Sequence, residues 1–260
     1  MFPSLSAHLA ALALCAIDVV VRAVRLRLLV PGDARLSLWQ AVTINAYGDA
    51  ASAVTPGRVG GDPARFWACR RVGVEAPRAL AGLAVEAFID WVLLVALVLA
   101  LALGSAVAAR WYRRRLPAGA LGSVPAAWQR ARQLGWPCVT LAATLTAVSM
   151  ALRVAILPVL VAGQPGLATG AVVLGSFTLL FGQLALPTPA GAGAVELGFV
   201  GGFAGTLSAA ALATLLIAWR VYTLILPAAL GALLFAREAL GRRAGGVADH
   251  NSRARDLIRE

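Results

Sequence analysis

At 260 residues, with 60% hydrophobic and only 13% charged side chains, the chain lies far outside the composition of a soluble domain and reads as a polytopic membrane protein. Its net charge of +11 would point to nucleic acid in a soluble chain. Here every basic residue is an arginine, and the arginines cluster in short connections between apolar spans, as membrane topology requires, so no nucleic-acid partner is expected.

Cys15, Cys69 and Cys138 are too scattered for a disulfide framework or a metal knuckle, and His8 and His250 stand at opposite ends of the chain. No metal site or cofactor is expected. Leu5 to Val30 forms a first helix whose Arg22, Arg25 and Arg27 mark a cytoplasmic end. Asp18, one turn before Arg22, is expected to neutralise it within the helix. The Leu12-Ala13-Leu14-Cys15 run follows no basic stretch and has a large residue at position 14, so lipoprotein processing is not expected. Pro31-Gly32-Asp33 turns the chain into a second span, Leu36 to Thr55, whose Gln40, Asn45 and Asp49 require it to face protein rather than lipid.

A polar break follows, Thr55-Pro-Gly-Arg-Val-Gly-Gly-Asp62. Pro56, Gly57, Gly60 and Gly61 interrupt the helix and set Arg58, Asp62 and Arg65 between two apolar spans. In a bilayer, a broken helix survives only where protein or a water-filled cavity satisfies its freed backbone groups, which makes this stretch a candidate binding site. Asp62 to Val72 then reads as a short interfacial helix carrying Phe66 and Trp67. The third span, Ala79 to about Leu103, holds Glu86 and Asp90 on one face. Carboxylates inside a span cost about 2 to 3 kcal/mol each, so they should meet the arginines of the break.

Residues 105–135 form a basic linker with Arg110, Arg113, Arg114, Arg115, Arg130 and Arg132 among Trp111, Tyr112 and Trp128, an interfacial anchor on the cytoplasmic side. Residues 136–162 make a fourth span, kinked near Pro158. Residues 167–186 and 191–205 make a helix pair meeting at a second break, which contains Pro187, Pro189, Gly191, Gly193 and Glu196. Residues 207–236 make the last span, and 237–260 a polar cytoplasmic tail. Gly198 with Gly202, and Gly201 with Gly205, are spaced to admit a neighbouring backbone. Each break runs Thr-Pro, glycines, then a carboxylate, which suggests an internal repeat with a site between its halves.

The expected architecture is therefore an all-α membrane bundle of two pseudo-symmetric, inverted halves, 1–104 and 136–236, with broken or re-entrant helices at 55–62 and 187–196. Arginine counts place the N-terminus outside and the C-terminus in the cytoplasm, in the cytoplasmic membrane. Residues 57–78, also net positive, then fall on the outer side. Some of their arginines should accordingly point into the protein.

Five stretches resemble the flippase-like transmembrane domain of lysylphosphatidylglycerol synthases. They are Arg22-Ala-Val-Arg25 with Leu36-Ser-Leu38; the 55–62 break with Arg65; Arg78-Ala-Leu-Ala81 before Glu86 and Asp90; Pro189-Ala-Gly-Ala-Gly-Ala-Val-Glu196; and Trp219-Arg220. The chain departs from the family in lacking one further first helix, in lacking asparagines just before Pro56, and in having Ala87 where an arginine is common. The synthase domain that would attach an amino acid is not expected here.

The resemblance implies transfer of an anionic phospholipid or polyprenyl-phosphate-type lipid between leaflets. Arg58, Arg65, Arg153 and Arg220 would donate to the phosphate, while Asp49, Asp62, Glu86, Asp90 and Glu196 would hold those arginines apart when the site is empty. Alternatively, these pairs only neutralise buried charge, and Arg153 and Arg220 only snorkel. A second reading is a non-transporting partner of a glycan or lipid biosynthetic enzyme, and homo-oligomers fit either role. No catalytic nucleophile and base, and no Gly-x4-Gly-Lys-Ser/Thr loop, can be found, so neither an enzyme nor an ATP-driven pump is expected.

Overall fold

The computed structural model describes residues 3–30, 36–103, 135–164, 166–203 and 205–240. All the regular structure in these stretches is helical: α1 Leu5–Leu29, α2 Leu38–Val54, α3 Gly61–Arg71, α4 Ala76–Leu103, α5 Trp136–Leu160, α6 Thr169–Gly182, α7 Ala194–Phe203 and α8 Ala209–Leu240. Three of these, at Ala76–Ala100, Trp136–Leu160 and Ala209–Leu240, are long and apolar enough to cross a membrane. The basic linker and most of the tail lie outside the described residues.

Helix starts follow local chemistry. Ser4 caps α1 through Ala7 N–H at 3.2 Å. At α2, Ser37 Oγ accepts from Gln40 N–H at 3.1 Å while Gln40 Oε1 accepts from Ser37 N–H at 2.8 Å, a reciprocal capping box. Ser208 caps α8, and Pro137 opens α5, where a missing N–H costs nothing. Pro158 falls in the last turn of α5, which ends at Leu160.

The apolar residues sort into two main cores. One joins Ala23, Leu26, Ile44, Tyr47, Cys69 and Leu83 from α1 to α4. The other joins Ile156, Leu157, Val195, Phe199, Leu215 and Trp219 from α5 to α8. Long α1 packs against α5 and α2, tying the two groups together.

α8 contains a π-helical stretch at Val221–Ile225. Pro227 accounts for its position: the proline cannot donate to Thr223, and its ring crowds that carbonyl, so the preceding turn widens. Side chains meet neighbouring carbonyls, with Thr223 Oγ1 donating to Trp219 O at 2.8 Å and Cys15 Sγ to Tyr222 O at 3.6 Å. Further along, α8 presses on α2 so closely that a Cβ built on Gly231 would lie 1.9 Å from Ala46 O. Gly231→Ala is expected to push these helices apart and cost about 1 to 3 kcal/mol, read as a lower Tm in detergent.

Two expectations are corrected. The tail does not start at 237, because α8 continues to Leu240 and Glu238 ties it to the bundle: Arg71 pairs with Glu238, and Tyr47 donates to it at 2.6 Å. The glycines of α7 do not seat a neighbouring backbone either. A Cβ on Gly201, Gly202 or Gly205 would meet nothing within 4 Å, and one on Gly198 only the Leu179 side chain. The physical reason is that this ten-residue helix buries Val195, Phe199 and Phe203, so its glycines fall on the opposite, open face.

Candidate functional site

Both breaks fold the same way. After Thr55-Pro56, Gly57 and Arg58 take φ of 56° and 61°; after Thr188-Pro189, Ala190 and Gly191 take 49° and 68°. In each, the threonine carbonyl accepts from the residue three on (Arg58 N, 3.2 Å; Gly191 N, 3.1 Å). The proline carbonyl likewise accepts from Val59 N at 3.3 Å and Ala192 N at 3.0 Å. Two successive residues at positive φ are the signature of a type I′ turn, and Arg58 and Ala190 hold that conformation without being glycine. The turns meet, for Pro56 and Pro189 form an isolated antiparallel bridge.

The remaining glycines of the first break allow α3 to fold back on α2. A Cβ on Gly61 would lie 2.2 Å from Ser52 Oγ, and one on Gly60 2.7 Å from the Thr55 side chain. Thr55 Oγ1 donates to Ala51 O at 2.8 Å and accepts from Gly60 N at 2.9 Å, binding the break to the end of α2.

Four helices turn polar stripes toward one another at heptad-like spacing: Asp18, Arg22 and Arg25 on α1; Asn45, Asp49 and Ser52 on α2; Glu86 and Asp90 on α4; Thr146, Ser149 and Arg153 on α5. Arg22 grips Asp49 in two places, at 2.9 and 2.7 Å, and pairs with Asp18 at 3.1 Å. Ser149 hydroxyl also donates to Asp18. Arg25 pairs with Glu86 and donates to Asp90 and Thr146, each at 2.5 Å. Arg65 reaches across from α3 to the other oxygen of Glu86 at 2.5 Å, with Asp62 a further 3.5 Å contact.

All of these groups except Asp18 line a cavity of about 400 Å³, closed on further sides by Gly57, Arg58, Val59 and Gln183 and on an apolar wall by Trp91, Leu94, Met150, Phe181 and Leu184. Thr146 and Ser149 lie about 15 and 20 Å along α5 from Trp136, near the middle of that span. Within the cavity the arginines divide into two kinds. Arg22, Arg25 and Arg65 are held by carboxylates. Arg153 has only Asp18 at 3.9 Å, and among the described residues Arg58 has no carboxylate partner and no side-chain hydrogen bond. Of the charge–charge influences on Arg58, the largest is repulsion by Arg153, which places two cations in one field.

Of the site residues expected from sequence, Arg58, Arg65, Arg153, Asp49, Asp62, Glu86 and Asp90 come together around this cavity. Arg220 and Glu196 do not line it. They pair on the far side of the second break, at 2.8 and 2.5 Å; Arg220 also donates to Ala190 O at 3.1 Å, and Glu196 accepts from Gly193 N at 2.7 Å. Arg22 and Arg25 are the residues sequence reasoning misplaced. They are not charges of a cytoplasmic connection but buried members of the network, so they drop out of the arginine count that oriented the chain. Their spacing from Asp18, four and seven residues, was the available signal. In residues 57–78, Arg58 and Arg65 do point into the protein, as the count demanded.

Long apolar helices around a charged, half-apolar cavity define a helical integral membrane protein. Residues 4–128 match the family model described as the lysylphosphatidylglycerol synthase TM region, so the chain is similar to that family over this stretch. The match takes in α1 to α4 and the first break, and leaves the second break and Arg220 outside it. No curated protein and no solved structure matches the chain.

Proposed function

We propose that this protein moves a lipid with an anionic, phosphate-bearing headgroup between membrane leaflets. The observation that carries the reading is Arg58, a guanidinium that opens into an intramembrane cavity whose neighbouring arginines are already satisfied. A phosphate entering there meets Arg58 without first separating it from a carboxylate, and Arg153 across only a long 3.9 Å pairing with Asp18; charge-assisted bonds to a phosphate are the strong kind. The apolar wall of Trp91, Leu94, Met150, Phe181 and Leu184 gives the attached chains a path that stays in hydrocarbon. No step makes or breaks a covalent bond, and no residue of the cavity needs to act as a nucleophile.

The test is transfer in reconstituted vesicles. Fluorescent phosphatidylglycerol or a polyprenyl phosphate is expected to cross at least tenfold faster than in protein-free vesicles, while a neutral diacylglycerol analogue gains nothing. Equal rates with and without protein for all the phosphate-bearing lipids would remove the reading.

A further inference from the structure

We propose that the Pro56–Pro189 bridge is a gate, and that Arg220 keeps it shut from outside the cavity. The inference rests on the transport reading above. It starts from how little joins the two breaks. The hydrogen bonds that shape the first turn run to Thr55, Pro56, Ser52 and Ala51, and those of the second to Thr188, Pro189, Glu196 and Arg220. Each turn is thus tied to its own half. The bridge between them is a single pair centred on two prolines, so any hydrogen bond across it is made by the flanking residues, and it is a short seam between two well-tied hairpins.

The seam is also thin. Gly57 lines the cavity, and a Cβ built on it would lie 3.9 Å from the carbonyls of both Leu184, which also lines it, and Leu186, which does not. Beyond that contact, Pro56, Pro187, Pro189 and Gly193 are exposed. Arg220, which holds this region, lies about 16 Å along α8 from Ala209, within the apolar span Ala209–Leu240. Exposed irregular backbone within a bilayer is tolerated only where protein or water satisfies it, so the gate implies a second polar space on the far side of the breaks. One bridge then separates two polar spaces within the bilayer.

Arg220 is a positioning residue here. It touches no part of the cavity, yet it donates to Ala190 O, inside the left-handed pair of the second turn, and to Glu196, which in turn holds Gly193 N–H. Trp219, packed on Phe199 with ring centroids 5.8 Å apart, fixes the same helix end. Arg220 thereby ties the turn, α7 and α8 together, reaching Ala190 O and Glu196 at once.

The experiment uses the full chain with Cys15, Cys69 and Cys138 replaced by alanine. Paired residues of an antiparallel bridge sit about 4.5 to 5.5 Å apart at Cα, within disulfide range. Pro56→Cys with Pro189→Cys is expected to crosslink under copper phenanthroline and to lose at least tenfold in lipid transfer, regained with dithiothreitol. A folded pair that never crosslinks, or a crosslinked protein that transfers lipid as fast as the reduced one, overturns the gate. If even the reduced protein transfers nothing, the transport reading fails, and the gate is judged by access alone. A single cysteine at Ala87, which lines the cavity, should react with an impermeant maleimide from one membrane face in the otherwise unaltered protein and from both faces with Arg220→Gln. Glu196→Gln, which keeps side-chain shape, should give the same two-sided labelling if Arg220→Gln fails to insert. One-sided labelling in the variant that inserts overturns the gate whatever the lipid assay gives.

Discussion

Arg25→Gln is expected to leave the protein misassembled. Arg25 bridges α1 to Glu86 and Asp90 of α4 and to Thr146 of α5, and it is buried along with Glu86. Removing the guanidinium leaves Asp90 without its arginine and Glu86 with Arg65 alone, and breaking a buried ionic network by taking out one partner costs about 3 to 5 kcal/mol. Thermal unfolding in detergent should show a large drop in Tm, and the yield of monodisperse protein should fall with it. Arg25→Leu combined with Glu86→Gln and Asp90→Asn removes the orphaned charges as well, and should recover most of the loss. If Arg25→Gln alone unfolds at the Tm of the unmodified protein, the network is not what joins α1 to α4 and α5.

The Arg58 series behaves in the opposite way, with stability kept and transfer lost. Arg58 compensates no carboxylate at contact distance, so Arg58→Gln should insert and melt like the unmodified protein. Its lipid transfer should fall about tenfold to a hundredfold, the worth of a hydrogen bond to a charged group. Arg58→Lys keeps the charge but not the planar fork that meets phosphate in two places, and should lie between. Arg58→Gly separates backbone from side chain: it relieves a positive φ of 61° and should be at least as stable, yet inactive. Were Arg58 only a counter-charge for Asp49, Arg58→Gln would insert poorly and Asp49→Asn would rescue it. A glutamine variant with normal transfer would leave the phosphate site without its main residue.

The contrast between Arg25 and Arg58 shows where sequence reasoning succeeds and where it stops. The two breaks were legible because proline and glycine forbid a helix wherever they occur together, and the short α3 between Gly61 and Arg71 followed from them. Glu86 and Asp90 were legible because a carboxylate in an apolar run requires a partner. Arg22 and Arg25 were read as topology markers because they lie near the end of a hydrophobic stretch, where arginines usually meet water. Only the phase relative to Asp18 distinguishes them from Arg27, which turns away to donate to Leu36 O. Arg220 was grouped with the cavity arginines on its charge within a span and on the Trp219-Arg220 resemblance. Which side of the second break it occupies depends on how α7 and α8 pack, and no local pattern encodes that.

The widened turn at Val221–Ile225 has a consequence for what α8 can hold at once. Arg220 and Gly231 are eleven residues apart, and on an unbroken α-helix that spacing returns to within about 20° of the same direction. A π-type stretch acts as one inserted residue and retards everything beyond it by about 100°. Arg220 can then face Glu196 and the second break while Gly231 faces Ala46, a quarter turn away. A straight helix would have to choose between these neighbours; the bulged one clasps both, and so joins α2 and the second break through a single helix.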